Sequence, residues 1–469
     1  MGVRKMSAVA KTPAAARTGV DHSFFTGGMA ALAGLMFGLD IGVISGALQF
    51  IGKAFHATDT DKEWIVSSMM FGAALGALAA GVLSYRLGRK VSLILGAILF
   101  VTGSLFCSFA WSIPSLIVAR VVLGLAIGIA TFTAPLYISE IAPPEKRGSM
   151  ISTYQLMITI GILAAFISDT LFAYSGAWRW MLGIVAVPGV LFLIGVMRLP
   201  NSPRWLLMRG RSREAREVLT ELRQNDRVVD DEVRDIEEQL RRPQVGWALF
   251  RGNPNFRRSV FLGVVLQVIQ QLTGINVVMY YAPRIFESAG FQGHAQLWGT
   301  AIVGLVNVLA TFVAIGVVDR LGRRPVLLAG FATMTVGMGV LGYMLHIGTH
   351  SLGAQLFAVA MLLIFIIGFA TSAGPLIWVL CSEVQPTKGR DFGIAASTLT
   401  NWVANFVVGI TFLSMLNSFG DGVTFGIYAA LNLLFLVFTF FYVPETKGIS
   451  LEGIEANLMA GKPLRRIGV

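Results

Sequence analysis

The sequence predicts an all-α membrane protein of twelve transmembrane helices, arranged as two pseudo-symmetric six-helix halves. Three observations carry this. The 469 residues are 55% hydrophobic and only 13% charged, against about 25% charged in a soluble globular chain. The apolar residues fall in runs of about 20, the length that crosses a bilayer as a helix. Three motifs also recur in the same order: YRLGRKVSLILG (85–96) with DRLGRRPVLLAG (319–330), SEIAPPEKRG (139–148) with SEVQPTKGRD (382–391), and PNSPR (200–204) with PETKG (444–448). Their offsets of 234, 243 and 244 residues are near constant, as a duplicated unit requires.

From the N-terminus, residues 1–20 are polar and basic without an apolar core, so no cleaved signal is expected. The arm 1–23 leads into a half over 24–199, with spans near 24–50, 64–84, 91–111, 113–139, 151–174 and 179–199. A polar stretch, 200–257, follows as a linker. Its runs RSREAREVLTELRQ (211–224) and DDEVRDIEEQL (230–240) mix acids and bases. Leu219 with Leu222, and Val233 with Ile236 and Leu240, give helical spacing, so short surface helices with a solvated charged face are expected. The second half, 258–444, has spans near 258–286, 296–319, 325–346, 353–382, 391–417 and 422–444, and a tail, 445–469, ends the chain.

Lys and Arg accumulate in cytoplasmic loops. With both termini inside, 31 of the 37 basic residues fall on the cytoplasmic side. The net charge of +11 thus reflects topology and contact with anionic lipid, and nucleic acid is not an expected partner. Cys107 and Cys381 lie in apolar runs without metal-ligand spacing, and His22, His56, His294, His346 and His350 all lie away from span centres. No nucleophile elbow, phosphate loop or metal cluster is present in the sequence, so an enzyme is not expected.

The stretch QVIQQLTGINVVMYY (267–281) puts Gln267, Gln270, Gln271 and Asn276 in an apolar run. An unpaired amide in hydrocarbon costs roughly 4–8 kcal/mol on an alkane scale. Gln267, Gln271 and Gly274 follow i, i+4, i+7 spacing, with Gln270 about 100° away. Gly274 permits a bend, and Pro283 removes a backbone donor. Amides are neutral donors and acceptors, suited to a ring of hydroxyls. The competing role is amide bonding between helices, worth about 1 kcal/mol in membranes.

Taken together, the two LGR[KR] loops, PNSPRWL (200–206), QQLTGIN (270–276), GPLIW (374–378) and PETKG (444–448) resemble the sugar porter branch of the major facilitator superfamily over nearly the whole chain. The resemblance implies the major facilitator fold and a sugar site at Gln155, Gln270, Gln271, Asn276, Asn307, Trp378, Asn401 and Trp402, with indoles covering the apolar sugar face. Gln267 is open to a purely structural role.

Asp40, in LMFGLDIGVISG, costs about 2.5–3.5 kcal/mol at a bilayer centre on insertion scales, and such acids are functional candidates. Arg120 is the basic residue that the sequence places deep in a span. Members of the resembled family that couple sugar to protons pair a span 1 Asp with a span 4 Arg, so Asp40 is expected to bind the proton and Arg120 to tune it. A permanent structural ion pair is the alternative. Asp169, toward the outer end of span 5, is read as solvated or capping. Arg120, Gly124 and Gly128 repeat every four residues, a spacing for close helix packing.

The resemblance also implies a cytoplasmic gate of Arg86, Arg89, Glu140, Arg147, Arg320, Arg323, Glu383 and Arg390, used as ion pairs between the halves. Tyr85 stands where the superfamily pattern often has Asp, while Asp319 keeps it, and Asn201 replaces a usual Glu. The expected function is proton-driven import of a monosaccharide, galactose or glucose, across a bacterial cytoplasmic (inner) membrane. The coupling ion is H⁺, without organic cofactor, metal or obligate protein partner. A passive facilitator shares the site but generally lacks the acid. A sugar sensor often adds a long tail, whereas about 25 residues follow Pro444 here. A drug–proton antiporter implies a more apolar pocket.

Overall fold

The computed structural model describes residues 22–143, 147–223, 226–241 and 246–468, and every regular element within them is helical. Most of the arm 1–23 and the side chains of Arg147 and Asp319 lie outside the described residues. The first half begins with α1 (His22–Phe55), α2 (Asp59–Arg86), α3 (Arg89–Ser108), α4 (Ile113–Ile141) and α5 (Arg147–Ala173). Its sixth span is divided into α6 (Trp178–Ile184) and α7 (Ala186–Met197). Pro188 has no N–H to give the Ile184 carbonyl, which accounts for the division.

Four short helices follow: α8 (Pro203–Met208), α9 (Ser212–Arg223), α10 (Asp226–Leu240) and α11 (Gly246–Gly252). The second half opens with a broken span, α12 (Pro254–Leu272) and α13 (Ile275–Ser288). It continues through α14 (His294–Leu321), α15 (Arg323–Ile347), a second broken span of α16 (Leu352–Thr371) and α17 (Ala373–Glu383), α18 (Arg390–Phe419) and α19 (Asp421–Tyr442). α20 (Leu451–Met459) lies in the tail. Among the described residues, twelve helical stretches are long and apolar enough to cross a membrane.

Local chemistry sets several boundaries. Thr58 and Asp61 exchange side-chain-to-backbone bonds at the start of α2, a reciprocal cap that satisfies two free helix-end donors. Small residues set the helix spacing. Gly34 and Gly38 of α1 face the carbonyls of Tyr154 and Ile158, where a Cβ would collide with main chain. Gly124 and Gly128 do the same for α4 against the Met69 and Ala73 carbonyls of α2, the close packing their spacing predicted.

The duplication extends to backbone angles and bonds. Gly88 and Gly322, at equivalent points of the repeated loops, have φ of 93° and 92°, left-handed values that favour glycine. In the first half Arg89 donates to Glu140 at 2.7 and 2.8 Å, and the Ser202 hydroxyl donates to the same carboxylate at 2.5 Å. In the second, Arg323 donates to Glu383 at 3.2 Å and the Thr446 hydroxyl does so at 2.5 Å. All three pairs of repeated motifs thus meet at one carboxylate per half.

The short helices divide between the halves. α8, α9 and α10 share a small core that includes Trp205, Leu206, Leu219, Val233 and Ile236. They dock under the first half, where Trp205 donates to the Tyr85 carbonyl at 3.0 Å and Arg223 to that of Ile141 at 2.9 Å. α11 belongs to the second half, with Trp247 and Phe250 against Phe392.

The halves meet along α2 with α18, α5 with α14 and α1 with α13. Side-chain contacts between them run from mid-bundle to the end away from the LGR loops. There Glu63 binds Ser414, Asp59 binds Asn417, and Tyr174 meets His294 and Trp298. At the basic end no hydrogen bond or ion pair between described residues joins the halves.

Candidate functional site

Asp40 of α1 and Arg120 of α4 form an ion pair, with Nη1 2.5 Å from Oδ1 and both side chains fully buried. Arg120 Nε also donates to the Ile65 carbonyl at 3.2 Å. The pair is single-ended: Asp40 Oδ2 and Arg120 Nη2 are buried without a hydrogen-bond partner. A carboxylate so held exchanges one strong bond for a proton without unravelling a wider network.

Asp169 differs from its expected solvated or capping role. Its side chain is buried, and Oδ2 accepts the Gly46 N–H at 3.1 Å. The reason is the stripe of small residues on α1: Gly46 leaves space for a carboxyl where a larger side chain would stand.

The glutamines lie beside two helix breaks. Gly274, with φ of 93°, separates α12 from α13. Ser372 separates α16 from α17, where Pro375 in the next turn lacks an N–H. Gln270 Nε2 spans from one break to the other, donating to the carbonyls of Ala373 and Gly374 at 3.0 and 3.1 Å. Asn401 Nδ2 donates to Gln270 Oε1 at 2.9 Å and to Gln267 Oε1 at 2.6 Å. Asn276 Nδ2 reaches back across the Gly274 break to Gln271 Oε1 at 2.5 Å. Helical spacing grouped Gln267 with Gln271. The structure instead joins Gln267 to Gln270 through Asn401, while Gln271 accepts from Asn276 beyond the break.

The remaining residues of the expected sugar site differ in their engagement. Neither Gln155 of α5 nor Asn307 of α14 makes a side-chain hydrogen bond among the described residues. Trp402 is buried and packs edge-on against Phe37 at 5.5 Å, whereas Trp378 is exposed. The site therefore contains a knitted part, Gln267, Gln270 and Asn401, and free polar groups on the helices that bring the halves together.

Of the expected gate residues, Arg89 with Glu140 and Arg323 with Glu383 pair within their own halves, not across them. Arg390 donates weakly to the Gln385 carbonyl, at 3.4 Å from Nε and from Nη2. Arg86 and Arg320 are exposed and offer their carbonyls to Arg209 and Lys447. The side chain of Arg147 lies outside the described residues.

Three residues were not singled out from the sequence. Asn432 of α19 donates to the Thr273 carbonyl at 3.0 Å and so braces the broken span. Asn405, one turn beyond Asn401, donates to the Tyr280 hydroxyl at 3.2 Å. Glu63 joins the two halves. For Asn405 and Asn432 the available signal was a polar side chain in an apolar run, whereas Glu63, in the charged stretch DTDKEW at a span end, offered none.

A family model described as sugar (and other) transporter matches residues 27–458. The chain is 63% identical over 453 residues to the galactose-proton symporter of Escherichia coli K12, covering 96% of this chain and 98% of the relative. It is 54% identical over 464 residues to the arabinose-proton symporter of the same strain, covering 98% of each. Among solved structures, the E. coli xylose transporter XylE in a partially occluded inward open conformation matches with a TM-score of 0.81 at 29% identity, over 92% of this chain and 99% of that one. The proton:xylose symporter XylE bound to 6-bromo-6-deoxy-D-glucose matches with 0.79 at 30% identity, over 93% and 98%. The twelve helices are a major facilitator fold, and the chain belongs to the sugar transporter family.

Proposed function

We propose that this chain imports galactose or glucose together with a proton by alternating access, with Asp40 as the proton site and the amide-rich breaks as the sugar site. Proton-coupled sugar symport is its activity, and it is a multi-pass membrane transporter rather than an enzyme. The observation that carries the finer reading is the buried Asp40–Arg120 pair in a chain 63% identical to a galactose-proton symporter. The coupling ion is H⁺, and the reading needs no organic cofactor.

The basic end is assigned to the cytoplasm of a bacterial inner membrane, as the distribution of Lys and Arg supports. The 24–199 and 258–444 units then rock about the site, joined by 200–257. Among the described residues the side-chain contacts between halves lie at mid-bundle and the outer end, which supports an inward-facing conformation. In that state the closed Asp40–Arg120 pair corresponds to a carboxylate that has released its proton. Gln155, Gln271, Asn276 and Asn307 offer hydrogen bonds to sugar hydroxyls, Gln270 and Asn401 position the breaks, and Trp378 and Trp402 supply apolar faces. Arg89, Glu140, Arg323 and Glu383 pair within each half here and re-pair when the inner side shuts. Coupling requires each ligand to alter the other's affinity through the two states.

The test is the external pH of a weakly buffered, de-energised cell suspension expressing the chain, given galactose, glucose, arabinose and xylose in turn. Alkalinisation with galactose or glucose is the expected result. Sugar equilibration without a pH change would make the chain a facilitator, and binding without flux a sensor.

A further inference from the structure

We propose that Glu63 is the latch of the outer gate, a positioning residue that closes the first half against the second by binding the main chain of α18. The proposal rests on the alternating-access reading above. Glu63 lies at the outer end of α2 and is 2% exposed, although the adjacent Trp64 is 45% exposed. Both of its carboxylate oxygens serve the opposite half: Oε1 accepts the Ser414 N–H at 2.7 Å and Oε2 the Ser414 hydroxyl at 2.8 Å. Ser414 lies inside α18, so the carboxylate draws on an N–H of the helix ladder itself. Hydrogen bonds to an ionised group are about twice as strong as neutral ones.

A second rung lies beside it. Asp59 Oδ2 accepts from Asn417 Nδ2 at 3.0 Å, and Lys62 holds the other Asp59 oxygen at 2.8 Å. Residues 59 and 63 share one face of α2, and 414 and 417 share one face of α18. Beneath the rungs, Ser67 and the fully buried Met70 of α2 border Gly409. These acids join the halves at one end only, so breaking them is a cost specific to outward opening.

The test introduces Met70→Cys in the full-length chain and measures its reaction from outside intact cells with a small membrane-impermeant thiosulfonate. The same background without Met70→Cys is subtracted for Cys107 and Cys381. Glu63→Ala should raise the rate about tenfold, and Glu63→Gln, which keeps an acceptor for the Ser414 N–H, by less. An unchanged rate in Glu63→Ala, in protein that reaches the membrane and binds sugar, overturns the latch. Should Glu63→Ala not reach the membrane, an unchanged rate in Glu63→Gln overturns it instead. A parent Met70→Cys chain whose rate ignores added galactose would count against alternating access and not against Glu63.

Discussion

Arg120→Ala would strand the Asp40 carboxylate with no partner in an apolar core. Removing one member of a buried ion pair costs about 3–5 kcal/mol, so the variant should melt well below the parent in lipid. Asp40→Asn keeps the shape and discards the charge. It should retain sugar exchange between equal pools and lose uphill accumulation, as labelled-galactose uptake with and without a protonophore would show. At the basic end of the bundle, burial alone would raise the pKa of Glu445. The N–H groups of Lys447, Arg323, Arg324 and Thr446 outweigh that and hold it below the ordinary 4.5. A depressed carboxyl stabilises the fold above its ordinary pKa, and that contribution is lost as pH falls through the lowered value. Glu445→Gln should therefore melt lower than the parent at pH 7, and the gap should narrow as pH falls below the ordinary 4.5 and through the lowered value. Asp40 and Arg120 were legible in the sequence because a charge deep in an apolar run needs a partner. Glu63 and Asp169 were not, because an acid near a span end looks the same whether it meets water or another helix.

The helix breaks give the amides two separable tasks. Gln270 holds the start of α17 and the Asn401 amide together, so Gln270→Ala should lower both thermal stability, by about 1–3 kcal/mol, and sugar affinity. Gln155, without a side-chain hydrogen bond among the described residues, should lose affinity alone when changed to Ala. Melting curves beside galactose-binding isotherms would separate the two. The spans themselves were readable from length and hydropathy, and Gly274 marked the break in the seventh. The break at Ser372 was not read from the sequence, although Pro375, three residues on, carries the same kind of signal. The bond of Asn401 to Gln267 joins residues 134 positions apart, and no helical periodicity carries that information. The α1–α5 contact was equally hidden, because the carbonyls facing Gly34 and Gly38 belong to another helix. Gly38→Val should separate those helices and cost about 1–3 kcal/mol, read as reduced membrane yield and a lower melting temperature.

For the whole molecule, the conformation was the part least legible, because one sequence must support both gates and only contacts reveal which is shut. On the proposed role of Asp40 as the proton site, one proton accompanies each sugar. One charge moving through 100 mV supplies about 2.3 kcal/mol, enough for roughly fifty-fold sugar accumulation. Measured accumulation in vesicles should follow imposed voltage on that scale, and a slope twice as steep would require a second proton site. A different consequence follows from the short helices. α8 to α10 are fastened to the first half by Trp205 and Arg223, and α11 to the second by Trp247 and Phe250. Each half keeps its own foundations, so a cut between Arg241 and Gly246 would sever a tether and spare the masonry. Two separately translated pieces, 1–241 and 246–469, should then find each other in the bilayer and restore galactose uptake when produced in the same cell.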